Sequence, residues 1–465
     1  MSTSLHDLSA TALLAAYRSK ALSPVEVTRA VLAHVDAWEP HLRATYALDA
    51  ASAMAQAEAS QARWLNGAPL GPLDGVPLTL KENIATRGVP IPLGSAATEL
   101  VPATQDAPPA ARMREAGAVL LGKTTMPDYG MLSSGLSSFH ALTRNPWDLR
   151  KNPGGSSAGA AAAAAAGYGP LHVGTDIGGS VRLPAGWCGI FALKPSLGRI
   201  PIHPPYAGRV AGPMTRTVSD AALMMATLSL PDPRDTMSLP YQAIAWSHLE
   251  RPVRGLKIGL WMDAGWGDAV EPEVRAAIEA AARAFEAAGA IVEPVQPFIT
   301  RAMAEGLDDF WRQRSWLDIG AMSAARRAVV LPYIVAWAQA GAGLSGERVF
   351  HGYSQMGAMR EAAVAACRPY DFLLSPTAPM AAYAAELPAP GNDPARPFEH
   401  IAFTLPFNMS EQPAASINAG YTATGLPIGL QIIGQRYDDL GVLQLARAWE
   451  QMRPAQRAWP VPPVR

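Results

Sequence analysis

Two glycine- and serine-rich runs, joined by an alanine tract, are the part of this sequence that says most about its fold. The first, residues 152–159, reads Asn-Pro-Gly-Gly-Ser-Ser-Ala-Gly, and the second, residues 174–182, reads Gly-Thr-Asp-Ile-Gly-Gly-Ser-Val-Arg. Glycines allow tight turns and close backbone approach, and serines at a helix start are common N-caps. Each run alone is therefore more typical of a turn or a cap than of a catalytic element.

A third run of the sequence adds a residue that can act as a general base. Residues 75–83, Gly-Val-Pro-Leu-Thr-Leu-Lys-Glu-Asn, predict a short apolar strand that ends in Lys81. Burial there would lower the pKa of the amine, and a neutral lysine can act as a general base. On this run alone, a strand-end lysine whose amine extends to water is the better interpretation. Ser180 follows two glycines, on a turn whose backbone N–H groups can converge as an oxyanion hole requires.

The three runs together resemble the amidase-signature family of amidohydrolases. The resemblance is carried by the order Lys81, Ser156, Ser180, with the two serines 24 positions apart. Similar segments are residues 122–127, 145–148, 184–199 and 425–431, so the likeness covers most of 20–235 and 370–452. Residues 240–360 match weakly. Departures from the usual pattern fall at Glu82, Ala158 and Ser196, none of which is a triad position.

The resemblance implies amide hydrolysis by a Ser–cis-Ser–Lys triad. By position, Ser180 is the nucleophile and Lys81 is the base. Ser156 is the bridging serine and follows a cis peptide bond from Gly155.

The resemblance also implies which groups surround the triad. The oxyanion hole would be formed by backbone N–H groups of Ile177, Gly178 and Gly179. Supporting roles are expected for Gly155, Ser157, Asp176 and Arg182, the last two as an ion pair.

The predicted fold class is α/β, with a central mixed β-sheet flanked by helices on both faces and a helical cap insertion. We expect a single domain over 1–465. Its parts are N-terminal helices in 1–68, a catalytic core in 70–235, a variable cap in 236–365 and the rest of the core in 366–465. Ser23 and Glu26 form a predicted capping box that opens a helix running to about Trp38.

The predicted substrate is a small amide, or a carbamate or ester, with an apolar or aromatic group. Residues expected to line its pocket are Met126, Tyr129, Gly130, Met131, Leu132, Phe139 and Arg209. Six of the twelve tryptophans lie between 240 and 340, where they indicate either core filling or pocket lining.

Composition excludes several other classes of function. The 465 residues carry a net charge of −1, with no basic surplus to attract nucleic acid. No basic, apolar leader or membrane-spanning run is visible, so a cytoplasmic monomer or homodimer without membrane contact is expected. The nine histidines and two cysteines form no evident metal cluster, and no cofactor or metal is predicted. Only six of the 38 cationic residues are lysines. Since arginine supplies most of the general surface charge, each lysine says more about a specific role, and a buried lysine can lose its proton whereas arginine stays charged.

Several alternatives remain open at this point. Residues 117–124 match a phosphate-binding loop in form, although Ala-Val-Leu-Leu in the middle suits a buried strand better. His140 or His172 could serve a histidine-based triad, and Cys188 could be a nucleophile, but each fits a buried structural role better. The chain also resembles the glutamine-hydrolysing component of the tRNA-dependent amidotransferases, which needs a partner protein.

Overall fold

A computed structural model describes residues 4–463 of the chain. The strands within that range are β1 (Thr45–Tyr46), β2 (Pro77–Lys81), β3 (Val119–Thr124), β4 (Leu171–Asp176), β5 (Phe191–Lys194), β6 (Val210–Thr215), β7 (Lys257–Leu260), β8 (Ile291–Pro294), β9 (Phe372–Pro376), β10 (Ala414–Tyr421) and β11 (Pro427–Gly434).

The α-helices of the same range are α1 (Ala10–Arg18), α2 (Pro24–Leu42), α3 (Ala50–Leu65), α4 (Pro108–Glu115), α5 (Ala158–Ala166), α6 (Arg182–Cys188), α7 (Val218–Leu228), α8 (Pro272–Ala287), α9 (Arg301–Gly320), α10 (Ala324–Arg327), α11 (Pro332–Gln339), α12 (Gly346–Cys367), α13 (Leu405–Met409) and α14 (Asp439–Met452). Short 3-10 helices cover Leu5–Asp7, Asp128–Gly130 and Glu399–Ile401. None of these helices is both long and apolar enough to cross a membrane.

The strands form one mixed sheet, as the sequence predicted. Its order is β1-β3-β2-β4-β6-β5-β10-β11-β9-β7-β8. Strand β2 runs parallel to β3 and β4, and β7 runs parallel to β8 and β9, whereas the other pairs are antiparallel. Every residue of β2, β3 and β4 is buried, as expected for parallel strands covered by helices.

The pairing of β2 with β4 brings two predicted site segments to one edge of the sheet. Leu78 lies opposite Leu171 and Leu80 opposite Val173. Because the two strands are parallel, their carboxyl ends coincide, and Lys81 lies beside the turn that follows β4. Ligand sites in α/β sheets commonly form outside the carboxyl ends of the strands.

The alanine helix α5 is buried along its whole length. Its small side chains let it pass close to neighbouring backbone: a Cβ added to Gly159 would lie 2.2 Å from the carbonyl oxygen of Ala44. The serines that precede α5 are thereby held against the edge where β2 and β4 end.

The N-terminal helices form where the sequence predicts them, with one difference in length. Helix α2 begins at Pro24 with the complete capping box of Ser23 and Glu26. It ends at Leu42 rather than near Trp38, because Trp38 and Leu42 lie one turn apart and both bury in the core. Arg43, with φ of 53°, then ends the helix.

The predicted cap segment divides into two structurally different parts. Strands β7 and β8 pair with each other, and β7 pairs with β9, so they extend the central sheet. Helix α8 connects these two strands, and helices α9 to α12 make up the helical remainder. Of the six tryptophans in this segment, Trp246, Trp261 and Trp266 fill the core.

Candidate active site

Lys81 ends β2 and is fully buried. Its Nζ donates hydrogen bonds to Ser156 Oγ at 2.7 Å, to Ser157 Oγ at 3.1 Å and to the carbonyl oxygen of Thr175 at 3.5 Å. Burial lowers the pKa of this amine to about 7, helped by the nearby charge of Arg209. The amine is therefore partly neutral near pH 7, which a lysine on the surface is not.

Ser156 and Ser157 are fixed by the turn before α5. The Gly155–Ser156 peptide bond is cis, as the resemblance implied. Gly155 admits no side chain, since a Cβ there would lie 2.5 Å from the backbone nitrogen of Ser134. Ser157 Oγ donates to the carbonyl oxygen of Thr175 at 3.2 Å and accepts from the N–H of Thr175 at 3.3 Å. Ser157 thus ties this turn to β4.

Ser180 lies on the turn between β4 and α6. The N–H of Ser157 donates to the carbonyl oxygen of Ser180 at 3.2 Å, which joins the two serine turns. Within residues 4–463 the Lys81–Ser156 link of the predicted triad is formed, while Ser180 Oγ makes no hydrogen bond to Ser156. Ser180 is half-buried and faces a cavity.

The backbone donors of this turn are not equivalent. The N–H of Gly179 donates to Asp176 Oδ1 at 2.8 Å, so this predicted oxyanion donor is already engaged. Among the described residues, the N–H groups of Ile177 and Gly178 have no protein acceptor. Gly179 has a φ of 128°, which only glycine adopts readily. Thr404 Oγ1 donates to the carbonyl oxygen of Gly178 at 2.6 Å and steadies the turn.

The predicted ion pair of Asp176 and Arg182 is present, at 3.0 Å and fully buried. Burial alone would raise the pKa of Asp176, but the Arg182 guanidinium and the Asn408 amide hold it below its usual range. Arg182 also donates to Gln431 Oε1 at 2.8 Å and to the carbonyl oxygen of Thr404 at 2.9 Å. Sequence reasoning did not identify Asn408 or Thr404; Gln431 lies in a segment that it marked only as similar to the family.

The cavity in front of Ser180 is lined mainly by aromatic and aliphatic side chains. Four predicted pocket residues line it: Tyr129, Gly130, Met131 and Leu132. Trp311, Trp337 and Tyr206, from segments that the sequence placed near the site, also line it, and further lining residues that the sequence did not reveal are Arg314, Tyr333, Ile334, Phe398, His400 and Ile401. Trp311 and Trp337 belong to the tryptophan-rich segment, so both interpretations of those tryptophans hold in part.

The other three predicted pocket residues lie outside the lining. Met126 is buried behind Gly130: a Cβ on Gly130 would lie 3.1 Å from Met126 Cε and 3.3 Å from Ser156 Oγ. Phe139 packs its ring on Tyr46. Arg209 does not line the cavity, and its charge adds to the lowering of the Lys81 pKa by burial.

The phosphate-loop alternative does not fit the structure. Residues 119–124 form the buried strand β3, so their N–H groups join a sheet and do not converge on a point. Lys123 Nζ donates to Thr86 Oγ1 at 2.7 Å and to the carbonyl oxygen of Ile84, which leaves its amine committed to the protein.

The histidine and cysteine alternatives also have structural roles. Both ring nitrogens of His172 are hydrogen-bonded, to Thr79 Oγ1 at 2.7 Å and to the carbonyl oxygen of Gly169 at 3.0 Å. His140 has a carboxylate partner, Glu82, that the sequence did not reveal. Cys188 is a free, buried thiol whose pKa is raised by burial. In residues 4–463 no three His, Cys, Asp or Glu side chains are grouped to hold a metal ion.

Comparisons with known proteins agree on the family. The family model described as Amidase matches residues 26–443. The A component of the glutamyl-tRNA(Gln) amidotransferase from Myxococcus xanthus is 35% identical, over 96% of this chain and 97% of that protein. An acylamidase of Rhodococcus erythropolis is 34% identical, over 97% and 96%. The structure of a bacterial aryl acylamidase of the amidase-signature family superposes with a TM-score of 0.89 at 31% identity, covering 97% of this chain and 98% of that one.

The matches extend over nearly the whole chain and include enzymes that act on amide C–N bonds. The family and the fold are the ones that the serine and lysine runs predicted. The chain therefore belongs to the amidase-signature family and is an amidohydrolase.

Proposed function

We propose that this enzyme hydrolyses amides whose acyl or amine part is apolar or aromatic, with Ser180 as nucleophile and Lys81 as base acting through Ser156. The observation that carries the proposal is the 2.7 Å hydrogen bond from the buried Lys81 amine to Ser156 Oγ, beside a cavity whose wall includes Ser180. A serine hydroxyl is a weak nucleophile until a base takes its proton. An amine with a pKa of about 7 can take it near neutral pH.

In this mechanism, rotation of the Ser180 hydroxyl toward Ser156 completes the proton path. Ser180 Oγ bonds to the carbonyl carbon while its proton passes to Ser156, which gives its own proton to Lys81. The N–H groups of Ile177 and Gly178 stabilise the oxyanion. When the C–N bond breaks, Ser156 protonates the leaving amine and regains a proton from Lys81. Water then releases the acyl group from Ser180 by the same proton path.

Gly179 has a different part in this scheme from the one its sequence position implied. Because its N–H is bound to Asp176, we assign it to holding the turn in shape. The buried Asp176–Arg182 pair fixes that turn against α6 and supports the site through position alone.

The aromatic lining supports an uncharged, apolar substrate group. Trp311, Tyr333, Trp337 and Phe398 surround the space next to Ser180. Ring stacking and burial of apolar surface would hold an aryl or alkyl group there. The acylamidase relatives are consistent with such substrates.

Partner-dependent glutamine hydrolysis is the second candidate, because the chain is 35% identical to the A component of an amidotransferase. Glutamine carries both an ammonium and a carboxylate. Arg314 is the one charged side chain among the described lining residues, and no Asp or Glu lines the cavity. Burying an ammonium without a carboxylate partner is unfavourable. We therefore favour a neutral amide.

An assay of the purified chain separates the two candidates. We expect it to hydrolyse acetanilide, p-nitroacetanilide and a longer acyl anilide without a partner, and Ser180→Ala to abolish this turnover. Glutamine alone should be a poor substrate. Inactivity on every anilide, with ammonia released from glutamine only when a partner protein is added, would overturn the proposal.

Carbamate and ester hydrolysis stay predictions of the sequence. A carbamate carbonyl forms the same kind of oxyanion and releases a similar amine, so the proposed groups would serve it equally. An aryl carbamate in the same assay provides the test; no turnover of any carbamate while anilides react would remove this extension.

A further inference from the structure

An aromatic wall of the cavity is assembled from three separate parts of the chain. It consists of Trp311 on α9, Trp337 on α11 and Phe398 on the segment that follows the proline-rich loop, and all three line the cavity. Phe398 is the common neighbour, because its ring centroid lies 5.4 Å from that of Trp311 and 5.8 Å from that of Trp337, with both pairs edge to face. The wall therefore depends on whatever holds these three parts together.

One buried arginine connects all three parts. Arg312 lies on α9 and is 7% exposed. Its Nη1 donates to the carbonyl oxygen of Trp337 on α11 at 3.3 Å. Its Nη2 donates to the carbonyl oxygens of Pro394 at 2.9 Å and of Ala395 at 3.2 Å, a few residues before Phe398. The guanidinium thus reaches from α9 to both other parts of the aromatic wall.

Asp308 completes this connection. It lies one turn before Arg312 on α9, and its Oδ2 accepts a hydrogen bond from Arg312 Nε at 2.7 Å. Its Oδ1 accepts from Trp337 Nε1 at 2.8 Å, so the same carboxylate balances the guanidinium charge and orients the indole. All three nitrogens of Arg312 are used by the protein. A lysine amine cannot replace them, because it presents one nitrogen in place of a planar fork.

Two other contacts join the same parts of the chain, and both are more exposed. Tyr333 Oη on α11 donates to the carbonyl oxygen of Asp393 at 3.0 Å, at an exposed position. Arg301 at the start of α9 pairs with Glu399 at 3.0 Å, but the Arg301 side chain is 48% exposed. Exposed ion pairs contribute little to stability. The buried fork of Arg312 is therefore the main connection.

We propose that Arg312 is a positioning residue for substrate selection: with Asp308 it holds the aromatic wall together, and so sets the preference of the enzyme for amides that carry an aromatic ring over small amides. This rests on the proposed function, because the wall is assigned there to the apolar part of the substrate. Lys81 and Ser156 are held by β2 and the turn before α5, away from Arg312. Loss of Arg312 should thus weaken binding of the ring and leave the chemical step intact, which raises KM at constant kcat.

The test compares acetamide with two amides that each add one ring. Acetanilide places the ring on the amine side and phenylacetamide places it on the acyl side, and we expect the wild-type enzyme to have a higher kcat/KM for at least one of them than for acetamide. Asp308→Asn combined with Arg312→Met removes both charges, so that neither is left buried and unpaired. This double variant should lower kcat/KM for the preferred ring-bearing amide about tenfold, mainly through KM. Its kcat/KM for acetamide should change less than about twofold.

Two arginine-to-lysine variants separate the fork from the charge. Arg312→Lys keeps a cation beside Asp308 but cannot make the hydrogen bonds to three carbonyl groups, so the ring preference should fall several-fold. Arg348→Lys is the matched control. Arg348 on α12 pairs with Asp309 of α9 at 2.7 and 2.9 Å but does not line the cavity, so all three substrates should react as with the wild type.

Several outcomes would overturn the role of Arg312. They are a wild-type enzyme without ring preference, a double variant that loses acetamide and ring-bearing turnover equally or loses neither, and a wild-type preference in Arg312→Lys. A loss in Arg348→Lys as large as that in Arg312→Lys would also contradict it, because the effect would then belong to α9 as a whole.

Binding separates failure of this role from failure of the proposed function. Ser180→Ala, alone and combined with the double variant, allows calorimetry of acetanilide and phenylacetamide without turnover. If the wild-type enzyme hydrolyses none of the three amides, the proposed function falls. Binding to Ser180→Ala that weakens about tenfold on adding the double variant would still support the role of Arg312. Equal binding in both proteins, or binding in neither, would overturn that role.

Discussion

At the scale of single residues, the site depends on the burial of Lys81. The same amine in water would be fully protonated at pH 7 and could not accept a proton. Loss of solvent, together with the nearby charge of Arg209, brings its pKa to about 7, and three oxygen atoms hold it in position. The surroundings, not the residue type, make Lys81 a candidate base.

The pH dependence of activity follows from this. We expect kcat/KM for an anilide to fall as the pH drops below about 7, because the protonated Lys81 amine cannot accept a proton from Ser156. Lys81→Ala and Ser156→Ala should each lower kcat/KM by about three orders of magnitude or more, with Ser180→Ala inactive. Rates measured from pH 5 to 9 check both points. A flat profile from pH 6 to 8, or near-native turnover by Lys81→Ala, would contradict the lysine-base scheme.

At the scale of elements, the placement of α5 decides how the serine turns meet the sheet. The helix is composed of alanine and one glycine, and its faces pack against two separate core clusters. Small side chains bury little surface each, but they let the helix axis approach the backbone around Ala44 and Thr125. Helix propensity alone would favour alanine throughout the helix. The glycine at position 159 therefore indicates that the neighbouring backbone leaves no room for a side chain.

A pair of glycine substitutions tests that constraint. Gly159→Ala should lower the Tm, because the new Cβ would lie 2.2 Å from the carbonyl oxygen of Ala44. Gly357→Ala, in the middle of α12 with open space around it, should raise stability by about 0.5–1 kcal/mol. Thermal unfolding of the two variants beside the wild type gives the comparison. Equal shifts in the same direction would show that α5 is not held by close backbone contact.

Sequence reasoning at this scale succeeded where a local signal existed. The capping box of Ser23 and Glu26 and the apolar strand before Lys81 are formed as predicted. The predicted site residues that line the cavity lie in two short runs, Tyr129 to Leu132 and Ile177 to Ser180, each continuous in sequence. His400 and Phe398 could not be found, because nothing in their own neighbourhood indicates that the chain returns there to the carboxyl ends of β2 and β4.

At the scale of the whole molecule, the burial of several lysines lowers the stability of the folded state. Three of the six lysines, Lys81, Lys123 and Lys194, are buried, and each has a pKa lowered to about 7 by loss of solvent. In the unfolded chain their pKa values would return to about 10.4. Between these values the unfolded state binds more protons than the folded state. The free energy of unfolding therefore rises with pH across this window. Below about pH 7 the three buried amines are protonated in both states, and their destabilisation of the folded state is complete.

The expected result is a higher Tm at pH 9 than at pH 7. Lys81→Met should raise the Tm at pH 7 and make the rise toward pH 9 smaller, because one of the three buried amines is removed. Lys20→Met, at an exposed lysine, is the control and should leave the pH dependence unchanged. Scanning fluorimetry across pH 6 to 9 measures all three proteins; a Tm that is constant or falls over this range would show that the buried amines do not govern stability there.

The sequence by itself determined the family, the mixed α/β fold and the identity of the triad candidates, because these depend on short runs whose residue types and order are visible in one dimension. The tertiary structure alone decided that Lys81 is buried against Ser156, that Gly179 donates to Asp176, and that aromatic side chains from α9, α11 and the segment before α13 close over Ser180. Desolvation and hydrogen-bond geometry arise from groups brought together across hundreds of residues. They exist only once the chain has folded around them.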